Sequence, residues 1–443
     1  MRIRSFLVGT AAGVSLIGVA QAADLPMTKA EPVEYVKVCS EFGPGFFYIP
    51  GSDTCLKISG EYRADYGYNT ASRADRQAGL SSRATSQSSF QGRVELNFDA
   101  RTQTDYGLLR SYLSIRAGTG NPGQQNWLIG SGFSGSTVYI NKAFIQFGGL
   151  TAGYAESQYA FYDNYYGDPY MAPYFGFANT NVQLAYTFDF GGGLTATASI
   201  EDPANARQGF SNGLDNAVTN GGTRAPNFVG KVLYEQSWGK LQLMAAAHQS
   251  EALENLTGAS GTSKWGFAVG AGASINLPVL SGGYIALEGS YADGANAYTG
   301  VGNNQFSPAG APNVYDAYFT TNGGTKLAQS WAITGEAAVS LTPKLQAMLF
   351  GSYGQYNAPS NILASADGST NGDFSSYVVG GQLEYTIVKG LTIGAEVSYV
   401  GTKSKGATNF TKAVGSGNSL DSVPLEKLKT SAVMGDLHIK RTF

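Results

Sequence analysis

Read at a period of two, this chain sorts its side chains onto opposite faces from residue 56 to its last residue. In residues 90–99, FQGRVELNFD, Phe90, Gly92, Val94, Leu96 and Phe98 fall on one face, while Gln91, Arg93, Glu95, Asn97 and Asp99 fall on the other. In residues 56–66, LKISGEYRADY, Leu56, Ile58, Gly60, Tyr62 and Ala64 oppose Lys57, Ser59, Glu61, Arg63 and Asp65. Near the end, Leu391, Ile393, Ala395, Val397 and Tyr399 oppose Thr392, Glu396 and Ser398. The chain therefore reads as all-β. A strand in a soluble sandwich also alternates, so the pattern alone does not say which face is wet.

Length and spacing decide that. The alternating segments number about sixteen, each near the ~9 to 11 residues that a tilted strand needs to cross a bilayer. Their connections alternate in kind. Short ones lie near Thr102, Gly148, Gly191, Ser237, Thr342 and Val388; long polar ones lie near 68–87, 119–135, 160–180, 203–225, 251–263, 294–328, 357–373 and 403–428. Short periplasmic turns and long extracellular loops are the arrangement of outer-membrane barrels. On this reading Phe90, Val94 and Leu96 meet lipid, and Arg93, Glu95 and Asp99 meet water inside the channel of a transmembrane antiparallel β-barrel spanning residues 55–443. The barrel must close, because unpaired backbone groups at a sheet edge cost several kcal/mol each in hydrocarbon.

The remaining composition agrees. Beyond the first residues there is no run of about 18 uncharged apolar residues to make a helical span. Fifty-nine Gly, 27 Tyr and 23 Phe, with 14% charged residues, describe many strands and turns with aromatic edges. A net charge of -3, with Lys and Arg spread along the chain, excludes a nucleic-acid footprint. Residues 1–22 read as a signal peptide: Arg2 and Arg4 precede an apolar run from Phe6 to Val19 and a small-residue site at Ala20-Gln21-Ala22. Residues 23–54 read as a periplasmic lead-in. It holds Cys39, which an exported protein is expected to bond to Cys55. A metal site is disfavoured, since the two Cys and the two His, His248 and His438, are far apart without ligand spacing. No cofactor motif is present either: the glycine clusters at Gly191 and Gly270 lack the GKS or GKT of a phosphate loop and suit tight turns.

Residues 34–60, EYVKVCSEFGPGFFYIPGSDTCLKISG, closely resemble the N-terminal signature of the alphaproteobacterial, rhizobial-type general porins. Residues 142–157, KAFIQFGGLTAGYAES, and the terminal HIKRTF are similar to the same family. The resemblance implies an outer-membrane homotrimer that passes ions and small hydrophilic solutes passively, with its third long loop folded into the lumen. The last strand, AVMGDLHIKRTF, turns Val433, Leu437 and Ile439 outward against Asp436, His438 and Lys440, and its terminal Phe443 resembles the signal read by the outer-membrane assembly machinery. Lipid and lipopolysaccharide would surround such a barrel.

The selective residues are expected where that loop meets the wall. Residues 159–180, YAFYDNYYGDPYMAPYFGFANT, carry an excess of Tyr, Phe and Pro that would pack on the barrel wall inside the lumen, or at a trimer or lipid surface if the loop stayed outside. The loop holds Asp163 and Asp168, and Arg63, Arg93 and Arg110 point into the lumen from the first three strands. Counting from the strand ends puts all three arginines near mid-height and Arg116 nearer the outer rim. Opposed charges across a narrow aqueous gap would make a transverse field that orients dipolar solutes, and guanidinium keeps its charge at any accessible pH. The alternative is that Arg93 pairs with Glu95 or Glu61 as a plain wall ion pair. Two other functions fit parts of the sequence. A sugar-selective channel would use Tyr165, Tyr166, Tyr170, Tyr174 and Phe175 as a stacking path, although anchoring of the loop explains them as well. A lipid-modifying enzyme would need a nucleophile beside a base, whereas His248 and His438 face the lumen and no GxSxG elbow accompanies them.

Overall fold

The computed structural model describes residues 37–70, 88–120, 137–161, 175–177, 179–211, 218–219, 221–252, 262–278, 280, 282–301, 314–320, 324–360, 373–404, 408–413, 420–425 and 429–443. The expected signal peptide lies outside them.

Sixteen of the described strands form one barrel. They are β1 (Cys55–Asn69), β2 (Ser88–Thr104), β3 (Gly107–Gly120), β4 (Thr137–Phe147), β5 (Leu150–Glu156), β6 (Thr180–Asp189), β7 (Leu194–Glu201) and β8 (Asn227–Gln236). The second half comprises β9 (Gly239–Glu251), β10 (Ser263–Leu277), β11 (Gly283–Asp293), β12 (Gln329–Thr342), β13 (Leu345–Asn357), β14 (Phe374–Val388), β15 (Leu391–Ser404) and β16 (Lys429–Thr442). Each pairs antiparallel with the next, and β16 pairs back onto β1 through Asp65↔His438 and Arg63↔Lys440, so no edge is left open. The last residue completes that seam: Gly60 and Phe443 exchange both backbone hydrogen bonds at 3.1 Å, and the Phe443 ring lies where a side chain on Gly60 would stand.

The period of two has the expected outcome. Phe90, Leu349, Val397 and Leu437 are exposed on the outside, while Arg63, Asp65, Glu288 and Glu396 are buried within. Aromatic pairs belt the outside at two levels. Phe228 with Trp265, Phe267 with Tyr291, Trp331 with Tyr353 and Tyr377 with Tyr399 lie toward the long loops; Tyr186 with Phe188 and Tyr234 with Trp238 lie toward the short turns. Such girdles sit at the two interfaces of a bilayer. Outward side chains at the long-loop ends of β4, β6 and β7 are aliphatic instead: Val138, Ile140, Val182 and Ile200.

Glycine makes the four-residue turn between β6 and β7 possible. Gly191, Gly192 and Gly193 have φ of 76°, 61° and 80°, a left-handed run that side chains disfavour. At the same end of the barrel a hairpin precedes β1. Its strand Phe47–Tyr48 pairs with Leu56 and Cys55, and Cys39 is disulfide-bonded to Cys55 with Cα atoms 6.0 Å apart. At the opposite end, pieces of two long loops join into a small sheet, Phe210–Ser211 lying parallel to Ala317–Tyr318.

Candidate functional site

The lumen is where polar side chains and loop segments converge. Ser157 to Phe161, following β5, run inward under firm restraint from Glu201 at the end of β7. That carboxylate accepts from Ser157 Oγ (2.6 Å), the Gln158 backbone N–H (2.9 Å), Ser199 Oγ (2.9 Å) and Asn181 Nδ2 (3.2 Å). Beyond this pin, Tyr159 and Phe161 are buried against β9 and β10. Lys240 Nζ donates to the Phe161 carbonyl at 3.1 Å and sits 4.7 Å from the centre of its ring; Gln242 donates to the Ala160 carbonyl at 2.9 Å. Phe161 needs Gly272 beneath it, since a Cβ there would come within 2.3 Å of the ring. Gly272→Val should therefore dislodge this segment and, on the expectation that the loop narrows the lumen, raise single-channel conductance by roughly 1.5-fold; native conductance in a folded variant would contradict that expectation.

The returning end of the loop reaches much farther round. The Phe175 carbonyl accepts from Thr334 Oγ1 on β12, and its N–H donates to Ser352 Oγ on β13 at 3.4 Å. Phe177 packs on Tyr298, ring centres 4.4 Å apart. Loop aromatics at both ends thus serve as anchors. Asp163 and Asp168, with Tyr165, Tyr166, Tyr170 and Tyr174, lie outside the described residues; Phe175 is buried and offers no stacking face.

Across the lumen, β1 to β3 carry the expected arginines, each bound to a carboxylate. Arg63 Nε donates to Asp65 at 2.6 Å, Arg93 to Glu61 at 2.8 Å and Arg116 to Glu95 at 2.5 Å. The Arg93–Glu61 pair is the wall ion pair weighed as the alternative. Height along the barrel needs two corrections. Arg110 is the fourth residue of β3 and pairs in register with Arg101, which faces Cys55 at the start of β1. It belongs to the short-turn mouth, where it and Arg101 share Asp99 at 2.9 and 2.7 Å. Arg116, expected nearer the rim, instead joins Glu95 and Glu61 at the middle level, because those three are cross-strand neighbours. The turn falls at Asp105–Tyr106, so Arg110 stands only four residues beyond it.

Next to β1 the charged wall continues on β14 and β16. Glu384 accepts from Lys440 Nζ at 3.2 Å and faces His438 Nε2 at 3.3 Å, while His438 Nδ1 faces Asp436 at 2.9 Å. His248 is buried on β9, its Nδ1 2.7 Å from Asn227 Oδ1 and its Nε2 3.5 Å from Asp316. Neither histidine adjoins a nucleophile in these contacts. Among the described residues no group of three or more His, Cys, Asp or Glu could hold a metal ion.

Asp316 and Glu201 are the organising residues that sequence reading missed. Asp316, on the loop between β11 and β12, ties that loop to the one between β7 and β8, accepting from the backbone N–H groups of Asn296 and Gln208, both at 2.8 Å. The nearby Tyr298 phenol accepts from Asn227 Nδ2 at 2.9 Å, and burial pushes its ionisation well above the usual range, so it stays neutral. Glu201 occupied an inward position in the alternation, a signal available in the sequence; nothing local distinguished Asp316 from a loop acid in water.

Residues 24–424 match the model of a family described as Porin subfamily. Porin Omp2b of Brucella neotomae is 28% identical over 404 residues, covering 90% of this chain and 92% of that protein. Porin Omp2b of Brucella suis is 31% identical over 246 residues, 54% of this chain and 64% of that one. Among solved structures, the outer membrane channel DcaP of Acinetobacter baumannii has the same fold, with a TM-score of 0.61 over 89% of this chain and 99% of its own at 14% identity.

Proposed function

Because this chain belongs to the porin subfamily, and is accordingly a channel of the Gram-negative outer membrane, we propose that it is a general diffusion porin whose selective zone lies between the inward loop and the paired charges of β1 to β3. The observation that carries this is the seating of Tyr159, Phe161, Phe175 and Phe177 against β9 to β13 and Tyr298, across from a β1 to β3 wall on which the Arg93–Glu61 pair is partly exposed beside the buried Arg63–Asp65 pair. Asp163 and Asp168, on the loop between those anchors, are the acids that would oppose that wall. Paired wall charges make the local field a set of dipoles rather than one sign, which suits weak, non-specific passage of small hydrophilic solutes. Burial of the loop's described aromatics favours this over a sugar path. No lipid chemistry is proposed, since the histidines are committed to carboxylates and amides in the lumen.

The assembly is proposed to be a homotrimer whose contacts use the long-loop ends of β4, β6 and β7, where the exposed outer side chains Val138, Ile140, Val182 and Ile200 are aliphatic. Residues 23–54 would lie on the periplasmic side, lipopolysaccharide would surround the outer rim, and Phe443 would be the residue that the assembly machinery engages. Planar-bilayer recording and native mass measurement test these together. Ion flow that does not saturate with added sugars, opening in three steps from a three-chain particle, is the expected result. Saturable block by a sugar would replace the general reading with a selective one, a one-chain particle would remove the trimer, and undiminished folded yield without Phe443 would remove its role in assembly.

A further inference from the structure

The premise here is the channel reading. We propose that the disulfide-tied hairpin before β1, with Lys57, Arg101 and Arg110, forms a second constriction at the short-turn mouth, one that attracts anions on their way through. The hairpin does not hang free below the barrel. Phe46 is buried, and its ring lies 4.9 Å from the Arg101 guanidinium and 5.8 Å from Lys57 Nζ; Phe42 adds a second face 6.0 Å from Arg101. Lys57 and Arg101 occupy lumen-facing register positions, with Cys55 directly opposite Arg101, so the hairpin leans over the inside of the mouth. The disulfide from Cys39 to Cys55 and the pairing of Phe47 with Leu56 hold it there.

Charge separates this mouth from the middle of the channel. At mid-level on β1 to β3, Arg63, Arg93 and Arg116 each meet a carboxylate, those of Asp65, Glu61 and Glu95. At the mouth, Arg101 and Arg110 share the single carboxylate of Asp99, and Lys57 is a further cation beside them. The Arg110 guanidinium lies 5.0 Å from the centre of the Tyr112 ring and 5.5 Å from that of Phe144 and donates to Gln146 at 3.0 Å. The aromatic faces stiffen the guanidinium groups without neutralising them. The acids of the hairpin and adjoining turn, Glu41, Asp53 and Asp105, are exposed to solvent, where screening weakens them. A narrow passage edged by fixed cations raises the local anion concentration.

The experiment compares the native protein with the Cys39→Ser/Cys55→Ser pair, with Phe42→Ala/Phe46→Ala and with Arg101→Gln, recorded as single channels under a tenfold potassium chloride gradient. Releasing the hairpin by either double variant should raise conductance by about 1.3- to 2-fold and move the reversal potential toward cations. Arg101→Gln should move the reversal potential the same way with conductance nearly unchanged. Should the cysteine pair fail to fold, the phenylalanine pair makes the same test with the disulfide intact. Native conductance and reversal potential in folded hairpin variants would overturn the proposal, and a conductance change without any selectivity change would overturn its anion-attracting part. A native protein that conducts nothing would instead remove the channel premise.

Discussion

Arg93→Glu should turn the channel toward cations. In the native wall Arg93 Nη2 sits 2.8 Å from Glu61, and Glu95 is the in-register neighbour of Glu61, held by Arg116. Reversing Arg93 changes the local charge by two and places an added carboxylate beside two existing ones. The pair is largely shielded from bulk water, with side chains 10% and 19% exposed, so screening by salt is incomplete. A tenfold preference for one univalent ion corresponds to about 59 mV; a shift of roughly 10 to 30 mV toward the cation potential is the expected reading for a wide pore. A reversal potential equal to the native value, in folded protein, would show that the selective zone lies elsewhere. Arg110→Glu is expected to act too, but at the short-turn mouth, since Arg110 belongs to the Asp99 cluster.

Asp316→Ala should free the outer loops while leaving the barrel intact. Asp316 is fully buried and accepts from Gln208 and Asn296 on two different loops, with His248 Nε2 facing it at 3.5 Å. Its own N–H donates to the Gly209 carbonyl, which holds the same two loops together through the backbone. Removing the carboxylate strands the buried Asn296 donor, at about 1 to 3 kcal/mol, and the part-buried Gln208 donor at less. That is comparable to what a small sheet of two- and three-residue strands contributes, so the joint should open locally. The expected result is rapid proteolysis within residues 202–226 and 294–328, noisier open-channel current, and an unchanged β-sheet spectrum. Asp316→Asn, which keeps one acceptor oxygen, should fall between. Proteolytic protection equal to native in the alanine variant would mean that apolar packing of Phe210, Ala317 and Phe319 is sufficient by itself.

The barrel was legible because its signal is local. Val433, Leu437 and Ile439 alternate with Asp436, His438 and Lys440 within a single strand, and the physics that sorts them acts residue by residue. The expected strand number and the eight long connections have the observed form for that reason. Cys39 and Cys55 were legible from their number and their exported context, and they are bonded. Height was harder. Residue spacing along β3 puts Arg110 at mid-channel, because strand ends are loosely marked in the sequence; only the cross-strand register, Arg110 against Arg101 against Cys55, shows it at the mouth.

The sequence by itself determined which face of every strand meets lipid, that the chain must close into a barrel, and which end carries the long loops, because alternation and turn chemistry are written within a few neighbouring residues. Only the tertiary structure decided which side chains meet across the lumen. Phe161 finds Gly272, Phe175 finds Thr334 and Asp316 finds Gln208, partners separated by some 100 residues or more, brought together once closure of the sheet fixes where each strand stands.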